Sequence, residues 1–298
     1  MSGDANFALV VTADDFGIGL QTSRGIIQAH LQGPVTATSM MVISGDHARQ
    51  SVDLLRSTPN LDVGLHIVLT RCGHKPLSAK NSSGLVDRAG DFLSNGRLWL
   101  AAFSGKLVRE AVAAEIAAQA ELFQKILGKA PTHVDAHHHA HQLPTIRGAL
   151  LDAMTHGLLP RITRISLEPP GLLAKVASVR SKRLAANSLA KRVVKPFRNA
   201  GLWNNDFFFG MLSAADLRKE FPWRKYLDHL PRRGVVEWVV HPGLADETLV
   251  GRDDYHLQRV AELEGLIGVP GTRIWEGLRA SLGRKSVLAR GTEKAGPP

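Results

Sequence analysis

A chain of 298 residues, 44% hydrophobic and 21% charged, has material for a packed core and fits one large domain or two ordinary ones. Its single cysteine, Cys72, excludes an internal disulfide framework, and no run of about 18 apolar residues is present to span a membrane. The formal net charge of +10 is local. From Pro169 to Asn205 there is no acid, while Lys175, Arg180, Lys182, Arg183, Lys191, Arg192, Lys195 and Arg198 supply eight of the ten excess charges.

The predicted elements alternate along the chain. "FALVVTA" (7–13) reads as a strand and is followed by a helical pattern over about 20–33. "VTATSMMVI" (35–43) and "LDVGLHI" (61–67) read as strands, separated by a helix over about 45–58. Residues 71–98 are polar and glycine-bearing, which suggests a loop excursion. The strongest helix lies within 106–128, where apolar residues recur at helical spacing and Gly128 follows. "THVDA" (132–136) is the next strand, then a helix over 144–157, then "RITRISL" (161–167) as a strand. Residues 169–205 read as an inserted basic helical segment or lid, 213–229 as a helix, "GVVEWVV" (234–240) as a strand and 252–267 as a helix. Residues 284–298 read as a disordered tail.

Several of these strands are nearly continuous apolar runs, as expected where both faces are covered. Repeated strand–helix order implies a parallel sheet with right-handed crossovers. The expected fold is therefore α/β, a distorted or incomplete (β/α) barrel forming one domain over 1–283 with the basic insertion inside it.

The polar residues fall where such a barrel does chemistry. The first strand ends in Asp14-Asp15, the third carries His66 near its end, "THVDA" leads to His137, and "GVVEWVV" leads to His241. In a parallel barrel those ends meet at one face. One carboxylate and two imidazoles suit a divalent cation, with zinc the first choice by ligand softness and magnesium the second. Asp15, His66 and His137 are the expected ligands. Asp14 is placed as general base and His241 as general acid, and the set describes hydrolysis of an amide or ester. "THVDAHHHAH" (132–141) holds five histidines, so His133, His138 and His139 compete with His137 for the ligand role. His133, Asp135 and His137 share one strand face, with only the last expected to reach the mouth. Asp135 is expected to orient a ligand, and His139 and His141 to line the substrate cleft.

"VVTADDFGIG" (10–19), "VGLHIVLT" (63–70), "THVDAHHHAHQLP" (132–144) and "HPG" (241–243) together resemble the YdjC-like carbohydrate deacetylases, a family that includes chitooligosaccharide and hopanoid-biosynthesis deacetylases. The softer motifs "SLEPPGLL" (166–173), the basic stretch and "NNDFFFGML" (204–212) look most like the hopanoid branch. The resemblance implies a distorted (β/α) barrel binding one divalent metal through Asp15, His66 and His137, with Asp14 in the base position, His241 in the "HPG" position and Phe16 at the substrate. It also implies removal of an N-acetyl group from an amino sugar, N-acetylglucosamine linked to a hopanoid lipid in that branch, with a chitooligosaccharide as the alternative.

A lipid-borne substrate would account for the basic patch, with residues 175–198 touching the anionic inner face of the membrane. "MSGDANFALVV" shows no secretory signal, so the expected compartment is the cytoplasm. A second copy of the chain is a further possible partner. A nucleic-acid partner is disfavoured because the basic residues lack interleaved aromatics and any reading module. A metal phosphoesterase is the nearer rival, but it wants more carboxylates than these strand ends provide.

Overall fold

β1 (Phe7–Phe16) is buried from Leu9 onward, and the rest of the fold is built around it. The computed structural model describes residues 7–78, 84–175, 180–210, 227, 229–253, 255–268 and 275–289. β2 (Ala37–Met40) and β3 (Asp62–Ile67) lie to one side of β1, followed by β4 (Val134–Ala136). On the other side come β6 (Gly234–Val240) and then β5 (Phe207–Phe209). All five ladders are parallel, so every strand ends at the same face. This is the expected α/β arrangement of an incomplete (β/α) barrel.

The segment 161–167, expected as a full strand, spans the gap between β4 and β5 by isolated pairings only. Val134 bridges Thr163, Ile162 bridges Trp203, and the Phe208 N–H donates to the Leu167 carbonyl at 2.9 Å. Asn205 explains the irregularity: its side chain takes the Ile165 N–H and donates to the Ile165 and Phe207 carbonyls, each at 2.8 Å, replacing ladder partners.

Helices α1 (Leu20–Leu31) and α2 (Asp46–Val52) follow the first two strands as expected, α2 passing into a 3-10 turn at Asp53–Ser57. The polar excursion after β3 contains a helix the sequence reading missed, α3 (Asn95–Phe103). α4 (Arg109–Leu127) ends at Gly128 in the left-handed conformation (φ 68°), the C-terminal signal read from the sequence. α5 (Pro144–Thr155) begins on Pro144, whose missing N–H costs nothing in a first turn. The basic insertion is helical: α6 (Pro170–Lys175) and α7 (Arg180–Asn199). α8 (His256–Ile267) follows β6. The helix expected over 213–229 lies outside the described residues, apart from Leu227 and His229.

Two expectations change here. The tail expected to be disordered from 284 begins instead with a packed turn. Residues 285–289 are helical, Leu282 bridges Leu9, and Arg284 pairs with buried Asp62 at 2.9 Å. Residues 290–298 lie outside the described residues. The basic stretch expected to touch the membrane turns the apolar face of α7 onto the protein, with Ala186, Leu189, Ala190, Val193 and Phe197 all buried. Its outer face carries Lys191, Arg192, Lys195 and Arg198, all exposed. The side chains of Lys175, Arg180 and Lys182 lie outside the described residues.

The barrel interior is polar. Thr12, Asp14, Ser39, Asp62, His66, His133, Asp135, Arg164, Glu237 and Lys285 are each at most 3% exposed. Apolar side chains of the same strands, such as Leu65, Val134 and Trp238, belong to the hydrophobic core. Alternation along β1, β3, β4 and β6 thus sends charge inward and hydrocarbon outward. Gly64 is the one gap in the inward row of β3. A Cβ there would overlap the His133 ring, so only glycine admits that imidazole.

Candidate metal centre

β1 breaks its register with β2 between Ala13 and Phe16, and Asp15 sits at φ 70°. Such bulges re-aim side chains, and a left-handed non-glycine residue costs on the order of 1–3 kcal/mol unless its surroundings enforce it. Here Arg259 does so: its Nη2 donates to Asp15 Oδ2 at 2.6 Å while its Nε holds Asp253 at 2.7 Å. The other oxygen, Asp15 Oδ1, lies 3.4 Å from His66 Nε2 and 3.3 Å from His137 Nδ1. It is buried, and among the described residues no donor meets it in good hydrogen-bond geometry.

His66 is aimed from behind. In the β3–β4 ladder His66 pairs with Asp135, and its Nδ1 meets Asp135 Oδ1 at 2.7 Å, which leaves Nε2 toward Asp15. Asp135 in turn accepts from Ser39 Oγ at 2.8 Å. His137 opens a 3-10 segment (His137–Gln142) in which His138 and His139 both adopt positive φ, 54° and 55°. The His138 ring stays against that of His137, with centroids 3.9 Å apart, but its nitrogen is aimed elsewhere. His138 Nδ1 turns to Thr70 Oγ1 at 2.8 Å, and His139 Nδ1 turns to Ser166 Oγ at 3.0 Å with its ring edge-on to Phe208.

Among the competing histidines, His137 is the one that shares the Asp15–His66 cluster. His133 is buried deeper, beside Ser39 Oγ and Thr132 Oγ1, and burial above all pulls it down to about 3. It is a neutral interior histidine.

Asp14 lies on the adjacent wall with both oxygens held by Arg164, at 2.7 and 2.8 Å. The same guanidinium reaches Asp135 Oδ2 at 2.8 Å and Glu237 Oε1 at 2.8 Å. Burial raises these carboxyls, but Arg164 and His66 outweigh it, so Asp14 stays below and Asp135 well below the usual carboxylate range. Asp15 stands well below that range too, because Arg259 and the two imidazoles overcome its burial. Across the mouth, the His241 N–H donates to Glu262 Oε2, and its ring lies 5.2 Å from that of Tyr255. Burial pulls the His241 imidazole down and pushes Glu262 up to about 7.

Two expected substrate contacts are not at the mouth. Phe16 is fully buried in the core, because the bulge at Asp14-Asp15 returns the chain to the outward register before it. His141 is fully buried, its Nε2 against the Arg164 carbonyl at 3.0 Å. His139, partly exposed, remains on the wall.

Arg164, Glu237 and Arg259 were missed by the sequence reading. A charged residue in the middle of an apolar strand was a signal for the first two ("RITRISL", "GVVEWVV"), since such a group must find a buried partner. Arg259 gave none, lying in an ordinary amphipathic helix pattern.

A divalent cation fits these residues on two grounds. Asp15 Oδ1 stands 3.3–3.4 Å from each imidazole nitrogen, which matches the edge of a tetrahedron with metal–ligand distances of about 2.0–2.1 Å. Charge points the same way. With imidazoles neutral, as ligation requires, the ion pairs of Asp14, Asp15, Asp135, Glu237 and Asp253 among the described residues are with Arg164, Arg259 and Lys285. Two negative charges are left over, the charge of one divalent ion.

Fold and site thus define an incomplete (β/α) barrel with a carboxylate–diimidazole cluster at its C-terminal mouth. The model of the YdjC-like protein family matches residues 8–270, and the chain belongs to that family. It is 33% identical over 261 residues to the chitooligosaccharide deacetylase of Klebsiella pneumoniae (strain 342), covering 87% of this chain and 90% of that one. The enzyme of the same name from Yersinia pestis (strain Pestoides F) is 32% identical over 259 residues, with 86% and 88% covered. A crystal structure from Enterococcus faecalis V583, named for cellobiose-phosphate cleavage, superposes with a TM-score of 0.73 at 24% identity over 95% of this chain and 99% of that one, and shares the fold.

Proposed function

We propose that this protein is a divalent-metal-dependent carbohydrate N-deacetylase acting on N-acetylglucosamine units of a chitooligosaccharide. The observation that carries the reading is Asp15 Oδ1, buried, without a well-aligned donor among the described residues, and facing two imidazole nitrogens at 3.3 and 3.4 Å. The substrate class rests on the names of the relatives. Those names favour the oligosaccharide over the hopanoid-linked acceptor that the softer motifs suggested.

Asp15 Oδ1, His66 Nε2 and His137 Nδ1 would hold the cation, zinc by ligand softness with magnesium second. Held there, a cation would supply Lewis acidity, lowering the pKa of a water toward about 7 and polarising the acetyl carbonyl. Asp14 takes the proton of the attacking water. Each of its oxygens accepts one Arg164 N–H and keeps a second lone pair. As the amide C–N bond breaks, acetate forms and the departing nitrogen needs a proton. The His241–Glu262 pair supplies it, with Nδ1 and Oε1 3.9 Å apart and Glu262 at about 7. His139 walls the cleft.

The test is acetate release from N-acetylated chitooligosaccharides, lost on chelation and restored by zinc, cobalt or magnesium in turn. Phosphate release from phosphoesters without acetate release would replace the reading with a phosphoesterase. Membrane contact through 175–198 is, in this reading, purely electrostatic, since the apolar face of α7 is buried. Co-sedimentation with anionic vesicles should then vanish at high salt and in a Lys191→Gln, Arg192→Gln, Lys195→Gln variant.

A further inference from the structure

We propose that Lys285, on the floor of the barrel, is a positioning residue for Asp14 that acts through Glu237 and Arg164; this rests on the reading of Asp14 as the base. Lys285 is 1% exposed, and its Nζ lies 2.7 Å from Glu237 Oε1. The same oxygen takes Thr12 Oγ1 at 2.9 Å and Arg164 Nε at 2.8 Å. The far end of Arg164 holds both oxygens of Asp14 and one of Asp135. Charges therefore alternate in one buried line from the C-terminal turn to the catalytic mouth.

The flanking residues fix where Lys285 stands. Arg284 donates to Asp62 Oδ1 at 2.9 and 3.1 Å, while the Ser286 N–H and hydroxyl meet the same carboxylate at 2.9 and 2.7 Å. Both neighbours are thus pinned to the start of β3, and the side chain between them points inward. Burying an ammonium is costly, and a side chain that merely plugged the floor would do so better as hydrocarbon. The charge has a use in the division of Arg164. With Lys285 present, Glu237 is satisfied from below and Arg164 is free to straddle Asp14 and Asp135. Without it, the full negative charge of Glu237 falls on the guanidinium and draws it down, away from Asp14.

The experiment measures kcat, KM, metal content and melting temperature in Lys285→Met, Lys285→Arg and the pair Lys285→Met with Glu237→Gln. Lys285→Met should lower kcat about 10- to 100-fold, the size of effect a small misplacement of a reacting group produces, with KM and metal content held. Lys285→Arg should keep most of the turnover, and Glu237→Gln should recover most of what Lys285→Met loses. A fall in melting temperature with kcat within about twofold of the parent would make Lys285 a plug and overturn the proposal, as would a kcat loss that Glu237→Gln leaves in place. Should Lys285→Met not fold, Lys285→Gln takes its place with the same readings.

A parent enzyme that releases no acetate would defeat the base reading instead. The relay is then read from melting of the metal-free protein. Lys285→Met and Asp14→Asn should shift it non-additively if Arg164 couples them, and additive shifts would overturn the relay.

Discussion

His66 Nδ1 and Asp135 Oδ1 stand 2.7 Å apart on neighbouring parallel strands, paired directly in the β3–β4 ladder. The carboxylate fixes the tautomer and leaves Nε2 as the free ligand atom. Asp135→Asn should therefore weaken metal affinity about 10- to 100-fold, the usual effect of losing such a partner, without emptying the site at saturating metal. Titration with cobalt followed by its absorption spectrum measures this, and unchanged affinity would deny Asp135 the orienting role.

The adjacent aspartates should separate by substitution. Asp14→Asn should keep the metal and lose turnover about 10²–10⁴-fold, the typical contribution of a general base. Asp15→Asn should lose metal while the fold holds, because asparagine tolerates the left-handed backbone at φ 70° as well as aspartate does. Metal content beside kcat distinguishes the two; a metal-free Asp14→Asn protein would reverse the assignment.

His137→Ala should abolish metal binding, whereas His138→Ala should leave it intact, since His138 points to Thr70 and lies outside the Asp15–His66 cluster. Metal content by mass spectrometry checks both. Full occupancy in His137→Ala would move the third ligand to a neighbour.

Gly64→Ala should destabilise the protein by about 1–3 kcal/mol, the usual cost of overpacking, because the added methyl overlaps the His133 ring. Gly64→Ala combined with His133→Ala should recover part of that loss, read by denaturant unfolding.

The C-terminal turn should loosen in acid. Burial raises the Asp62 carboxyl, but Ser286 and Arg284 outweigh it, so its folded pKa lies below the unfolded one. Its contribution is then complete above the unfolded value of about 3.9 and disappears as pH falls through the lower folded value. The hydrogen-exchange protection of residues 285–289, taken relative to the intrinsic rate at each pH, should fall below about pH 4, and Asp62→Asn should show the low protection already at neutral pH. Protection that does not change with pH would remove Asp62 as the anchor.

Much of the site was legible in the sequence because it follows from strand ends. Asp14-Asp15, His66, His137 and His241 each sit at the C-terminal end of an apolar run, and parallel order alone brings such ends together. Period two puts His133 and His137 on one face, and the choice of His137 followed from its place four residues further along, where the strand reaches the mouth.

What the tertiary structure decided is how those groups are held. Phe16 and His141 read as cleft residues, yet a bulge turns Phe16 outward into the hydrophobic core and His141 is buried against the Arg164 carbonyl. Arg164, Arg259 and Lys285 come from a strand fragment, a distant helix and the C-terminal turn, and nothing local says that three buried cations must meet these carboxylates. Periodicity reports which face of an element is apolar; it cannot report which charge a buried charge will find, because that partner is chosen by packing between segments up to 244 residues apart in sequence.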